Sequence, residues 1–299
     1  RGTATDPSGI FQILINKTET NVQSDGSFSK EVSLPKVGNN TITIKATDNK
    51  LNSATTRIQV IREKPAAQTE TRLALVIGNG DYNLDIGDLK NPTNDARDVS
   101  QKLREMNFTV REYKNLSHGE MWNVISDFGR DLKNYDVGLV YYSGHGIAAG
   151  GENYLIPSDA TLNYESTVRA ECINQDFILA QMEGAGSQVN IVILDACRNN
   201  PFAKSWKSPL TEAQWVNQTA PSGTFIAYAT SPKKKAHDGW GDNGAYTAEL
   251  LKYIDEPGLT IEQVFKKVRG AVEFKFNTMR FRQLPWESTS LRGDFYFVR

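Results

Sequence analysis

Two residues of this chain have both the type and the setting for covalent chemistry, His145 and Cys197. Each follows an apolar run: Val137-Gly138-Leu139-Val140-Tyr141-Tyr142 breaks into Ser143-Gly144-His145-Gly146, and Val189-Asn190-Ile191-Val192-Ile193-Leu194 breaks into Asp195-Ala196-Cys197-Arg198. Runs of this length and composition read as buried strands. Parallel strands open their carboxyl ends onto one crevice, so an imidazole and a thiol far apart in sequence are expected side by side. A thiol is mostly protonated at neutral pH, and an adjacent imidazole raises the thiolate fraction or takes the proton during attack on a carbonyl. The chemistry expected is nucleophilic acyl transfer. Gly146 leaves its backbone N–H uncovered, and with the amide of Cys197 it makes a candidate oxyanion hole.

Each residue also has a plainer explanation. A lone cysteine at a strand end is usually an inert small hydrophobe, and a lone histidine is usually structural. The pairing argues otherwise, because the chain has only three histidines and two cysteines. His118 lies in a polar helix start, His237 in a lysine-rich loop, and Cys172 in a Glu-Cys-Ile-Asn stretch with no base nearby in sequence.

Asp195 sits two residues before Cys197, so on a strand both side chains point to one side. A buried carboxylate beside a nucleophilic thiol raises the thiol's pKa unless a cation offsets it. Arg or Lys of a substrate, just before the scissile bond, would supply that cation. An ion pair with Arg198 or another internal base is the competing explanation.

The elements that must carry these residues are legible from Leu73 onward. Leu73 to Ile77 reads as a strand, and Pro92 to Met106 as a helix with Asp95, Ala96, Val99, Leu103 and Met106 at helical spacing. Phe108 to Tyr113 is a strand, and Met121 to Leu132 an amphipathic helix before the His145 strand. A glycine-rich hairpin follows Gly146, and a helix around Asp176 to Met182 precedes the Cys197 strand. Phe225 to Ala229 and Phe295 to Val298 read as further strands, with Thr247 to Ile254 and Ile261 to Phe274 as helices. Alternation of this kind gives a mostly parallel sheet with helices on both faces.

Residues 1–62 differ. Ile10 to Ile15, Ser27 to Leu34, Thr41 to Ala46 and Thr55 to Ile61 are short β-type runs separated by turn residues, the pattern of a small all-β sandwich. Residues 63–70 are polar and proline-bearing and read as a linker, leaving 71–299 as the second domain. The net charge of −1 argues against nucleic acid or an anionic membrane as the main partner. No apolar run is long enough to span a membrane. Oligomeric state is left open.

The Tyr-Ser-Gly-His-Gly and Asp-Ala-Cys-Arg motifs together resemble the caspase-like cysteine peptidases of clan CD, family C14. Asp195 stands where caspases have Gln, which makes the closer resemblance that to metacaspases and bacterial caspase-like proteins. The likeness covers residues 71 to 299, including Leu-Ala-Leu-Val-Ile-Gly-Asn, Asn94-Asp95 and Gln-Leu-Pro-Trp-Glu. It implies a six-stranded caspase-like sheet and an endopeptidase with a His145–Cys197 dyad. It also implies a pocket for a basic residue made by Asp95, Asp195 and Ser143, hence cleavage after Arg or Lys. Taken alone, Asp95 is an ordinary first-turn helix acid.

In this family, cleavage in the loop after the nucleophile often matures the enzyme; here that loop is 198–222, and Lys204 and Lys207 are its candidate self-cleavage points. No cofactor is expected. Some metacaspases need calcium, and the absence of an Asp-x-Asp-x-Asp-Gly loop leaves calcium activation undecided. The first sixty residues resemble bacterial immunoglobulin-like modules of surface and secreted proteins, implying a periplasmic or secreted location. The first strand of such a module is not evident, so the chain reads as a fragment or processed form. The alternative function is a catalytically silent caspase-like scaffold that binds partners; a third is hydrolysis or transfer on a non-peptide amide.

Overall fold

In a computed structural model of the chain, residues 1–36, 38–62, 70–83, 86–196, 219–230, 241–277 and 283–299 are described. The chain divides into two compact units, Arg1–Thr69 and Glu70–Arg299.

The first unit is all-β: β1 (Gly2–Thr3), β2 (Ile10–Ile15), β3 (Thr18–Thr20), β4 (Ser27–Phe28), β5 (Gly38–Asp48) and β6 (Ser53–Arg62). An antiparallel sheet in the order β3-β2-β5-β6 is accompanied by the pair β1-β4. Asn16 and Lys17 both have positive φ, 46° and 70°. Two such residues between paired strands make the tight turn that joins β2 to β3. Ile13, Ile15 and Phe28 form the buried centre. The strand expected from Ser27 to Leu34 is confined to β4. Beyond it the chain is held beside β3 by side chains instead of a backbone ladder: Thr20 Oγ1 donates to the Ser29 carbonyl and Lys30 Nζ to the Glu19 carbonyl.

The second unit contains β7 (Arg72–Gly78), α1 (Pro92–Glu105), β8 (Phe108–Lys114), α2 (His118–Leu132), β9 (Val137–Gly144), β10 (Gly146–Ala149), β11 (Glu152–Leu155), α3 (Val168–Glu171), β12 (Ile173–Asn174), α4 (Gln175–Ala185), β13 (Val189–Ala196), β14 (Thr224–Tyr228), α5 (Ala245–Tyr253), α6 (Ile261–Asn277) and β15 (Trp286–Thr289). Six strands form one sheet in the order β15-β14-β13-β9-β7-β8. All neighbours run parallel except β15, which is antiparallel to β14.

Strand side chains alternate between the two faces, and the burial follows that rule. Leu139, Tyr141, Ile191 and Ile193 join the core against α1, α5 and α6, while Val140, Tyr142, Val192 and Leu194 join the core against α2 and α4. The helices therefore cover both faces, as the sequence predicts. Among the described residues no helix is long and apolar enough to cross a membrane.

The sheet's sixth strand is not where the sequence put it. Phe295 to Val298 forms no ladder beyond a single bridge from Tyr296 to Thr260. Its middle carbonyls are taken by a side chain, the Arg72 guanidinium donating to the Tyr296 carbonyl at 3.1 Å and the Phe297 carbonyl at 2.8 Å, and its outer ones by backbone, Ile261 N donating to the Phe295 carbonyl at 2.9 Å and Gly258 N to the Val298 carbonyl at 3.0 Å. Phe295 and Phe297 fill the α6 side of the core. The edge position belongs instead to β15, with Trp286 opposite Tyr228.

From β7 the chain moves outward to β8 and then returns to the far side of β7 as β9, from which the sheet grows toward β13 and β14. The winding reverses between β7 and β9. Ligand crevices of open α/β sheets form outside the carboxyl ends of the strands at such a reversal.

Candidate active site

At that reversal the loop after β7 meets the residue after β9. His145 is partly buried, and its Nε2 lies 2.9 Å from the carbonyl oxygen of Gly87. A carbonyl only accepts, so the neutral ring carries its proton on Nε2 and offers Nδ1 as the base. The loop that presents Gly87 is tied back on itself: Leu89 N donates to the Gly80 carbonyl at 2.8 Å, Gly87 N to the Asn83 carbonyl at 3.0 Å, and Tyr82 N to Asp88 Oδ1 at 2.8 Å. The Asn115 side chain anchors its start, accepting from Gly80 N and donating to Asp81 Oδ2.

The backbone of His145 is held as firmly as its ring. Its N–H donates to the Tyr82 hydroxyl at 2.9 Å, and its carbonyl accepts from the Tyr142 hydroxyl at 2.8 Å and from Ile156 N at 3.0 Å. Gly144 has no side chain because there is no room for one. A Cβ there would lie 2.5 Å from the Tyr142 hydroxyl and 2.6 Å from the Tyr82 hydroxyl. Gly144→Ala should therefore push both tyrosines off His145, cost about 1–3 kcal/mol of stability in urea unfolding, and slow any reaction that uses the imidazole.

The acidic residues meet one strand away, on the face of α1 and α5. Ser143 pairs with Asp195 in the β9–β13 register, and Ala196 with Gly144. The same register ends both strands at one edge of the sheet, where His145 follows Gly144. Asp95 is not a solvated helix acid: only 1 % of its surface is exposed. Its Oδ2 accepts from Ser143 Oγ at 3.0 Å and its Oδ1 from Gly244 N, just before α5, at 2.9 Å.

Asp195, also buried, accepts from Thr247 Oγ1 at 2.7 Å. Thr247 in turn hydrogen-bonds the Tyr141 hydroxyl. Since the Thr247 proton goes to Asp195, the Tyr141 proton points to Thr247, and the chain of donors ends on the carboxylate. A Cβ on Gly244 would lie 3.0 Å from Asp95 Oδ2 and 3.2 Å from Asp195 Oδ2, so the two carboxyl groups flank one small gap. Burial, and next the charge of Asp195, push the Asp95 carboxyl up to about 7; the Gly244 N–H and Ser143 hydroxyl oppose the rise.

The structure thus brings Asp95, Asp195 and Ser143 together, with His145 following Ser143-Gly144 at the same sheet edge. Gly146 is buried at the start of the β10–β11 hairpin, opposite Leu155. Cys197, Arg198, Lys204, Lys207 and His237 lie outside the described residues. Cys172 is buried and its thiol is pushed well up by that burial, which makes it unreactive. His118 begins α2, where its backbone N–H donates to Asp159. Among the described residues no group of three His, Cys, Asp or Glu is arranged to hold a metal ion.

Three contributors escape a reading of the sequence. Gly87 acts through a carbonyl that any residue carries, Thr247 reads simply as a helix residue, and Tyr82 gives only the faint signal of an aromatic in the polar loop Gly80-Asp81-Tyr82-Asn83.

The second unit is thus a mostly parallel sheet with a backbone-oriented histidine at one strand end and a buried acidic pair beside it. Residues 71–296 match the family model for peptidase C14, the caspase domain, and the chain belongs to that family. It is 30 % identical over 176 residues to human mucosa-associated lymphoid tissue lymphoma translocation protein 1, a match spanning 58 % of this chain and 20 % of that protein. The mouse homolog is 33 % identical over 127 residues, 42 % of this chain and 15 % of the relative. The chain thus spans a fifth or less of these relatives. Caspase-1 from Spodoptera frugiperda superposes with a TM-score of 0.59 at 15 % identity, covering 77 % of this chain and 91 % of that one, a likeness of fold.

Proposed function

We propose that this protein is a cysteine endopeptidase that cleaves after Arg or Lys. The observation that supports it most is the bond between His145 Nε2 and the Gly87 carbonyl, which leaves Nδ1 as the basic nitrogen at the edge where the strand leading to Cys197 ends. In this reading the Cys197 thiol gives its proton to His145 Nδ1 as sulfur attacks the substrate carbonyl carbon. The oxyanion accepts hydrogen bonds from the Gly146 and Cys197 amides. His145 then passes the proton to the leaving amine, the C–N bond breaks, and an acyl-enzyme remains. Water, deprotonated by His145, attacks the thioester and restores the thiol.

The gap between Asp95 and Asp195 takes the substrate's cation, with Ser143 and Thr247 holding the carboxylates in place. A guanidinium fits two carboxylates better than an ammonium does, because its planar fork donates in two directions at once. The same preference makes self-cleavage after Lys204 or Lys207 chemically consistent, and the immunoglobulin-like resemblance of the first unit agrees with an extracytoplasmic setting.

The test is hydrolysis of matched fluorogenic peptides ending in Arg, Lys or Asp, with wild type and Cys197→Ala, with and without calcium. Release after Arg or Lys that vanishes in the variant is expected. Cleavage after Asp would overturn the acidic pocket. No cleavage of any peptide, even after the 198–222 loop is nicked, would favour a silent scaffold.

A further inference from the structure

We propose that Tyr82 is a positioning residue for His145, coupling the loop after β7 to the competence of the base; this rests on the peptidase reading above. Its hydroxyl accepts from His145 N at 2.9 Å and lies 3.3 Å from the Tyr142 hydroxyl. Each phenol has one proton, which fixes the order of donation. His145 N–H donates to Tyr82, and Tyr142 gives its proton to the carbonyl of His145, at 2.8 Å, or of Ile156, at 3.0 Å, so the Tyr82 hydroxyl donates to Tyr142. The hydrogen bonds start at the His145 N–H and end on the neighbouring carbonyls of His145 and Ile156.

The Tyr82 ring adds a second restraint. Its centroid is 4.7 Å from that of the imidazole, at an interplanar angle of 61°. The rings meet edge to face, and since His145 becomes a cation once it takes the thiol proton, an imidazolium edge on the tyrosine face would be stabilised. The loop that carries Tyr82 also carries Gly87, whose carbonyl orients the other side of the ring. One loop therefore bears on the backbone, the tautomer and the charge of the base.

Two substitutions separate these contributions. Tyr82→Phe keeps the ring and loses the hydroxyl anchor; Tyr82→Leu loses both. Peptide hydrolysis should show kcat falling about three- to tenfold in the first and about thirtyfold in the second, with KM within twofold of wild type in each. The pH dependence of iodoacetamide alkylation reads the thiol–imidazole pair without any peptide, since buried Cys172 reacts slowly. Its imidazole limb should move down by about half a pH unit in Tyr82→Leu and stay in place in Tyr82→Phe.

Wild-type kcat and an unmoved alkylation profile in both variants would overturn the proposal. So would equal losses in both accompanied by a lowered urea midpoint, because Tyr82 would then serve the fold alone. If wild type cleaves nothing, the peptidase reading fails by itself, and the alkylation profiles still decide whether Tyr82 governs the imidazole.

Discussion

Replacing His145 by alanine should lower kcat on the best peptide substrate by about a thousandfold and leave KM nearly unchanged. The split follows from geometry. His145 is fixed at the sheet edge by Gly87, Tyr82 and Tyr142, whereas the proposed pocket for the substrate's basic side chain is formed by Asp95 and Asp195 on the α1–α5 face. Removing the base weakens only interactions made in the transition state. The alkylation rate of Cys197 should fall at neutral pH, and its midpoint should move to about 8.5 or higher, the range of a thiol without a cationic partner. A large rise in KM with kcat preserved would place His145 in substrate binding instead.

The second large effect concerns Asp95. Its carboxyl is pushed up to about 7 by burial and by the charge of Asp195, so near neutrality the free protein holds Asp95 partly protonated. The protonated form is a poor partner for a substrate cation. Because kcat/KM reports groups in the free enzyme, it should rise with pH through about 7 for substrates with Arg before the scissile bond. Asp95→Asn should abolish the contribution of that limb and lower kcat/KM on Arg substrates about thirtyfold or more at pH 8, mainly through KM.

Stability should move in the opposite sense. The folded-state pKa lies above the unfolded value of 3.8, so between about pH 4 and 7 the folded protein holds a proton that the unfolded chain has lost. Stability from this group is therefore lost as pH rises through that window. Asn at position 95 should flatten that part of a urea-midpoint profile. A variant as pH-sensitive as wild type in both assays would show that Asp95 is not the titrating group.

What was legible in the sequence follows from what a single residue type can announce. The ends of β9 and β13 were readable because apolar runs stop at polar, reactive residues, and strand alternation put Asp195 on a definite face. Asp95 needed the fold. At helical spacing it is one more acid in a first turn, and only the packing of α1 and α5 beside β9 turns it into a buried partner of Ser143 and Gly244. Contributions made by backbone atoms leave no trace in residue type, which is why Gly87 was invisible.

The misplaced last strand has a similar origin. Phe295 and Phe297 alternate like a strand, but Arg72 and the Gly258 and Ile261 amides satisfy the carbonyls of this stretch, and the sheet edge goes to Trp286–Thr289. In the first unit, Ser27 to Leu34 carried the composition of a strand without a partner long enough to pair with it.

The most direct test of the central claim is covalent capture. A short peptide ending in arginine and carrying a thiol-reactive acyloxymethyl ketone is incubated with the protein, which is then digested and mapped by mass spectrometry. A single adduct on Cys197, absent in Cys197→Ala and not formed by the matched aspartate probe, is the result predicted. Labelling by the aspartate probe in preference to the arginine probe, or an adduct confined to Cys172, would contradict it.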